Sequence, residues 1–209
     1  HADKCTFSIW VKPQVSDSRN TFIAAGVDSG NYMKVRLQDD KLAIYGNRSS
    51  QNDLHVVTNR LFRDPSAFYH ILLQVDTTQS TSTDRVKFFV NGVQETSMST
   101  TTYMAQNADC FLNGGVSSSK LFIGAFDTAA DDGVSEQGEG YFAEVALIDG
   151  SILAPTEFGE YDEDSPTIWK PKDISGLTFG ANGFYLDFED SSNLGNDANG
   201  GTDLTEVNL

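Results

Sequence analysis

The residues best equipped for chemistry in this chain are its carboxylates, its tyrosines set among amides, and its few histidines and cysteines. Asp and Glu total 30. Acid–base hydrolysis of a sugar with retention needs two carboxyl groups about 5–5.5 Å apart, which along a strand means alternate positions on one face. Glu144 and Asp149 are separated by Val-Ala-Leu-Ile and fall on opposite faces. Asp187 and Glu189 alternate, but only Phe188 lies between them and no third acid shares a strand with them. Asp162, Glu163 and Asp164 belong to a loop. With His 3, Cys 2 and no G-x-S-x-G, a nucleophile triad is unsupported. The expectation is a chain that is not an enzyme. Tyr45 precedes Gly46-Asn47, and Tyr103 lies in an Asn/Gln-rich stretch with Asn107. Aromatic faces stack on sugar C–H groups while amides pair with hydroxyls, so Tyr45, Asn47, Tyr103 and Asn107 are the candidate ligand-binding residues. His70 follows two aromatics at a strand start and is expected to hydrogen-bond locally. His55 stands in a strand beside Val56 with no partner signal.

These residues are carried by short strands. Phe68–Thr96 contains the strongest signal: a strand over His70–Asp76, a Thr/Ser-rich loop over Thr77–Asp84, a strand over Arg85–Val90, then Asn91-Gly92 and a return over Val93–Thr96. Asn-Gly suits a type I′ turn, which needs positive φ at both central residues. Ile71, Leu73 and Val75 share a face. Thr6–Lys12 alternates likewise, with Phe7, Ile9 and Val11 on one face and Ser8 and Trp10 on the other. Further strands are expected over Thr21–Gly26, Tyr32–Leu37, Lys41–Gly46, Leu54–Thr58, Leu121–Gly124, Tyr141–Ile148 and Phe184–Phe188. Asn47–Asp53 and Ser97–Gly115 read as polar loops, and Asp127–Gly140 as an acidic one. Ala154–Tyr161 allows one helical turn, with Pro155 at its first position. Trp10 and Trp169 are expected to pack in the core or at an edge. No longer amphipathic helix and no internal repeat appears, so the fold class is all-β, an antiparallel two-sheet jelly-roll sandwich with minimal helix. Its domain spans 1–190, and 191–209 is a Gly/Asn/Asp-rich tail or linker.

Bulk properties exclude some functions. A formal net charge of −16 and a pI near 4.3 argue against nucleic acid, whose backbone needs a basic face. They fit a soluble surface, high salt or bound divalent cations. No apolar run approaches the roughly 20 residues of a membrane span. The chain starts at His1 without a signal peptide, which predicts that an upstream part is removed or lies outside this sequence. Cys5 and Cys110 are too few for a disulfide framework and form no zinc motif. One bridge between them would imply an oxidising compartment; two free buried thiols is the equal alternative. Asn47-Arg48-Ser49 is a glycosylation sequon, usable only on a eukaryotic secretory route.

TFSIWVK, FYHILLQVD, VKFFVNGVQ, LFIG and GYFAEVALIDGSILAPTEF together resemble a laminin-G-like, concanavalin A-like sandwich. Phe68-Tyr69-His70 stands for its aromatic–His strand start, Phe88–Gly92 for its hairpin, and Glu144-Val145 falls in its late strand. Ala143 stands where that family often has Asp. FGEYDED, IWKPK, GANGFYLDFED and LGNDANG are similar to sandwich domains in large proteins of marine bacteriophages and related viral sequences. The likeness implies a non-catalytic carbohydrate-binding or adhesion module of a virion or other extracellular assembly. Its partners would be a glycan or host-surface polysaccharide, other virion proteins and copies of itself. A purely structural decoration or fibre module is the rival, and a glycoside hydrolase the third reading. Rim loops of such domains often hold Ca²⁺ with carboxylates, Asn and backbone oxygens. By loop position Asp53, Asp109 and Asn113 would be the ligands, with Asp127, Asp131 and Asp132 a second set; a solvated acidic rim is the alternative.

Overall fold

Alternation of side chains decides the layering. In β1 (Lys4–Pro13) Phe7, Ile9 and Val11 enter the main core, and Ser8 and Trp10 point away from it. The computed structural model describes residues 3–14, 19–49, 51–114, 117–126 and 136–207. Around β1 forms a 6-stranded antiparallel sheet, sheet A, in the order β14 (Phe184–Leu186), β11 (Gly140–Asp149), β1, β6 (Tyr69–Asp76), β7 (Val86–Val90) and β8 (Val93–Glu95). Facing it is a second 6-stranded sheet, sheet B. Its order is β10 (Lys120–Ile123), β2 (Asn20–Asp28), β3 (Asn31–Gln38), β4 (Lys41–Arg48), β5 (Gln51–Leu61) and β9 (Met98–Thr102). The main core lies between them: Phe7, Phe22, Ile44, Leu54, Phe88 and Leu147 are among its fully enclosed side chains. The all-β sandwich expected from the strand pattern is therefore what forms. The described helical segments are 3₁₀ turns at Ser82–Asp84 and Pro155–Glu157, the second with Pro155 where a first helical position favours it. Among the described residues no helix is long and apolar enough to cross a membrane.

The Asn91-Gly92 hairpin forms with φ of 49° and 80°, joining β7 to β8 as its sequence requires. It also does something further. Asn91 Oδ1 accepts from the His70 backbone N–H at 2.8 Å, and the Asn91 N–H donates to the His70 carbonyl at 2.9 Å. A β-carbon on Gly92 would stand 2.7 Å from the Trp169 ring. Glycine is needed here both for its φ and for close approach.

Trp169 belongs to a covering layer. After β11 the chain crosses the outer face of sheet A, pairing β12 (Gly159–Tyr161) with β13 (Trp169–Pro171). Leu72, Ala146 and Ile148 of sheet A and Phe158, Ile174 and Phe179 of the crossing segment enclose a second core. Sheet A is thus buried on both faces, which accounts for the unbroken apolar character of ILL in β6. His70, fully buried, sits in this layer between Trp10, at 5.0 Å and 21°, and Trp169, at 6.0 Å and 19°. An indole N–H can only donate. Trp169 Nε1 gives its proton to His70 Nδ1 at 3.0 Å, so the neutral ring carries its proton on Nε2 and donates to Ser8 Oγ at 2.9 Å.

Two expected loops are corrected, and the residues after 190 are placed. Asn47–Asp53 is not an open loop: β4 and β5 extend through it, with Asn47 opposite Asn52 and Arg48 opposite Gln51. Ser97–Gly115 contains the edge strand β9, whose Met98-Ser-Thr-Thr-Thr pairs with β5. The supposed tail is docked along β14: the Ala198 N–H donates to the Tyr185 carbonyl at 2.8 Å, buried Asp197 accepts from the Tyr185 N–H at 2.9 Å, and Leu204 packs against the main core. That contact covers a sheet edge.

Burial lowers His70 from its ordinary value to about 4. The unfolded chain therefore binds a proton that the folded chain refuses between roughly pH 6.5 and 4. Stability from this site is complete above that window and declines as pH falls through it, by about 3 kcal/mol in all. Urea midpoints measured from pH 7 to pH 4 should show this slope, and His70→Gln, which does not titrate, should flatten it.

Candidate functional site

The sandwich has two open ends, and they are built differently. At the end where β1 begins, the chain leaves β9 at one edge of sheet B and must reach β10 at the other. It crosses the mouth of the core, and Met104, Cys110, Phe111 and Leu112 close it, none more than 3% exposed. Polar groups of this segment hold it in place. The Asn107 N–H donates to the Thr77 carbonyl at 2.8 Å, Gln106 Nε2 to the Thr78 carbonyl at 2.9 Å, and Arg85 Nη1 to the Met104 carbonyl at 2.8 Å. The Thr/Ser loop after β6 is thus a bracket for this plug.

The residues expected to bind are distributed by this arrangement. Asp53, on β5, pairs with Arg48 Nε at 2.9 Å, and Arg48 Nη2 donates to the Asp109 carbonyl. Burial holds the Asp53 carboxyl above its ordinary value despite that guanidinium. The cation between Asp53 and Asp109 is therefore supplied by the chain itself. Asn113 is fully buried elsewhere: its Nδ2 donates to the Lys4 carbonyl and to Asp149 Oδ1, each at 3.0 Å, and its Oδ1 has no hydrogen-bond partner among the described residues. Asp53 and Asp109 meet at Arg48, while the Asn113 amide is engaged by Lys4 and Asp149, and the described residues hold no group of three or more His, Cys, Asp or Glu that could hold a metal ion. Asp127, Asp131 and Asp132 lie outside the described residues. Cys5 and Cys110 meet in the core, Sγ to Sγ 3.4 Å.

Tyr45 and Tyr103 do not share a face. Tyr103 packs against the main core, which raises its hydroxyl above its ordinary value. Tyr45 stands on the outer face of sheet B. Arg36 of β3 lies 4.3 Å from its centroid, His55 of β5 lies 4.4 Å from it, and its hydroxyl donates to Gln38 at 2.9 Å. Burial and the Arg36 charge lower His55 below its ordinary value. Asn47 continues the outward row of β4 beyond Tyr45, and Asn107, exposed, sits on the plug with φ of 59°. Next to Tyr45 on the same face, Glu136 takes hydrogen bonds from Arg19 and Lys34, each at 2.8 Å, and from Arg36. Lys34 is pushed down to about 8, first by burial.

The opposite end, where β1 finishes, carries the cleft that sequence reasoning missed. It measures about 160 Å³ and is lined by Lys12, Pro13, Gln14, Pro65, Gly140 and Tyr141. Lys12 is paired with Tyr141 in register, and its ammonium lies 5.6 Å from the tyrosine centroid. Both project from the outer face of sheet A, one row beyond Trp10, where the covering layer ends. Tyr141 is 68% exposed, the most open of the large apolar side chains among the described residues. Its signal was present, since Tyr141 alternates with Ala143 while Phe142 faces inward. Only the covering layer, however, decides which outward residues remain open.

Residues 1–131 match the family described as the concanavalin A-like lectin/glucanases superfamily, with a laminin-G-like sandwich. The chain belongs to this family. No curated protein matches it. Among solved structures, the CBM40 of a Ruminococcus gnavus IT-sialidase, bound to α2,3-sialyllactose, is similar with TM-score 0.52 at 14% identity, over 75% of this chain and 80% of that one. A heptameric SAP-like pentraxin from Limulus polyphemus gives TM-score 0.49 at 14% identity, over 73% of this chain and 66% of that one. Domains LG4-5 of the mouse laminin α1 chain give 0.45 at 14% identity, over 88% and 40%. The laminin-G-like chain thus spans just under two thirds of the pentraxin chain and well under half of the laminin one.

If Arg48 is the internal cation of the plugged end, Arg48→Met should lower stability by about 1.5–3 kcal/mol, the value of hydrogen bonds to a charged group. Arg48→Lys, with one point charge in place of a fork, should recover only part of it. Urea unfolding of the three proteins checks this, and equal midpoints would refute it.

Proposed function

We propose that this laminin-G-like chain is a non-catalytic carbohydrate-binding module of an extracellular or virion-borne assembly, and that its sugar stacks on Tyr141. The observation that carries this is the exposed Tyr141 ring beside Lys12, Pro13, Gln14 and Pro65 in a shallow cleft. A tyrosine ring offers an apolar face to sugar C–H groups, and the prolines continue that surface. The Lys12 ammonium and the Gln14 amide supply donors and an acceptor for hydroxyls at the cleft wall. Membership of a superfamily described by its lectins and glucanases supports the ligand class. No carboxylate is among the described residues that line the cleft, and the role proposed for it is to hold the sugar.

The expected binding surface moves accordingly, from the plugged end to the open one. Tyr45 and Tyr103 are engaged by Arg36, His55 and the core. Calcium enters the proposal as a test condition, since Arg48 already supplies a cation to Asp53 and Asp109. Other proteins of the same assembly, and further copies of this chain, are proposed as protein partners. The edge strand β8, with Val93 60% exposed, offers them a place to pair.

A glycan array probed with the purified chain, followed by titration of the best ligand, tests this. Tyr141→Ala should weaken binding about tenfold and leave the melting temperature unchanged, because an exposed ring contributes little to the core. An absence of binding at millimolar glycan, with calcium or with EDTA, would refute the proposal. Unaltered affinity in Tyr141→Ala would remove the site from this cleft.

A further inference from the structure

We infer that Cys5 and Cys110 are joined by a disulfide in the mature protein, a covalent clasp that fastens the plug of the closed end to the central strand of sheet A. The two residues are 105 positions apart, yet their sulfurs lie 3.4 Å apart, and both side chains are fully buried. Cys5 stands on β1 between register partners Val75 and Asp149. Cys110 stands on the segment that crosses from β9 to β10. Met33 of sheet B closes the third side, its Sδ 3.7 Å from Cys110. The sulfurs need to approach by about 1.4 Å to reach a bond length of about 2.05 Å.

The surroundings favour this pair over two inert thiols. The neighbours of Cys110 on the plug are fixed on both sides, Asp109 through Arg48 and Asn113 through the Lys4 carbonyl and Asp149. The plug is therefore registered against β1 before any covalent bond exists. The Cys110 thiol is held below its ordinary value by the hydrogen bond from Cys5, aided by the backbone N–H groups of Leu112 and Asn113 and the Arg48 charge. The Cys5 thiol is held well above its own, by its hydrogen bond to Cys110 and by burial. With a small disulfide such as oxidised glutathione as the oxidant, one of the two thiols first exchanges into a mixed disulfide, and its proton leaves with the released glutathione. The second protein thiol, once deprotonated, attacks the protein sulfur of that mixed disulfide, the protein–glutathione bond breaks, and the second glutathione leaves and takes up the proton. Two protein thiols are oxidised and one glutathione disulfide is reduced to two thiols. Both sulfurs end inside the core, so exchange precedes closure of the plug, and reduction requires its opening.

The inference is independent of the carbohydrate reading, because the clasp and the Tyr141 cleft lie at opposite ends of β1. The test is the whole chain, refolded with a glutathione redox buffer or secreted into an oxidising compartment. After denaturation without reductant it should take up no maleimide, weigh about 2 Da less than the reduced chain, and yield a linked peptide pair containing Cys5 and Cys110. Closing so long a loop should raise the melting temperature by about 10 °C, and a phosphine reductant applied during unfolding should abolish the difference. Cys5→Ser/Cys110→Ser should melt where the reduced chain melts, whatever the redox buffer. Two maleimide-reactive thiols in the chain from the oxidising preparation would overturn the inference. So would a melting temperature indifferent to reductant, and both readouts use the unsubstituted protein should the serine variant fail to fold.

Discussion

One hydrogen bond organises the outer half of the molecule: the Trp169 indole N–H donating to His70 Nδ1. Because the indole cannot accept, the bond selects one tautomer of His70, and that tautomer in turn selects Ser8 as the acceptor on β1. A residue on the covering layer is thereby connected through β6 to β1, across the middle of sheet A. The Trp10 ring stacks on the histidine, the Trp169 ring meets it nearly parallel through this hydrogen bond, and the chain lies close enough only because Gly92 and Gly159 present no β-carbon to the Trp169 ring. Removing water from both faces of sheet A follows from this attachment. So does the position of the cleft, since Lys12 and Tyr141 are the outward pair one row past the end of the cover.

The charge of the protein is organised at the other end and on sheet B. A chain at −16 has few cations to spare, and several of them are committed internally. Arg48 ties β4 to the plug. Arg19, Lys34 and Arg36 converge on Glu136. Arg85 holds the Thr/Ser loop to Met104. An acidic surface with several of its cations tied up in pairs resists nonspecific association with polyanions, while the cleft keeps Lys12.

Much of this architecture was legible in residue order, and the parts that were not share a cause. Phe7, Ile9 and Val11, or Ile71, Leu73 and Val75, announce their face by alternation, and Asn91-Gly92 announces its turn, because those preferences act within a few residues. β9 was missed because Met98-Ser-Thr-Thr-Thr has no inward apolar row; it is a strand through pairing with β5, a contact made across the sheet edge. The extension of β4 and β5 through Asn47–Asp53 was missed for a related reason, since its polar groups are satisfied by Asp109 on the plug and Asn31 at the start of β3. The docking of Asp197 on Tyr185 left no periodic trace at all. Tyr45 and Tyr103 were the right residue types for sugar recognition. What residue type could not convey is which rings the fold itself employs.

That distinction separates the tyrosines physically. An aromatic face can be covered once. On the outer face of sheet B, Lys34 lies 5.0 Å from the Tyr32 centroid and 4.2 Å from that of Phe126, and Arg36 and His55 flank Tyr45. Each such contact uses the π-surface that a sugar would need, and the cations are in turn neutralised by Glu136, so displacing one would break several interactions together. At Tyr141 the comparable neighbour among the described residues is Lys12, at 5.6 Å and partly exposed, with the exposed Asp64 carboxylate near enough to feel its charge. A flexible lysine can swing aside from a ring, or stay and donate to a hydroxyl, at little cost. The sandwich thus uses its aromatic rings as structure wherever cations and carboxylates interlock, and leaves Tyr141, the most exposed ring among the described residues, accessible where the covering layer stops.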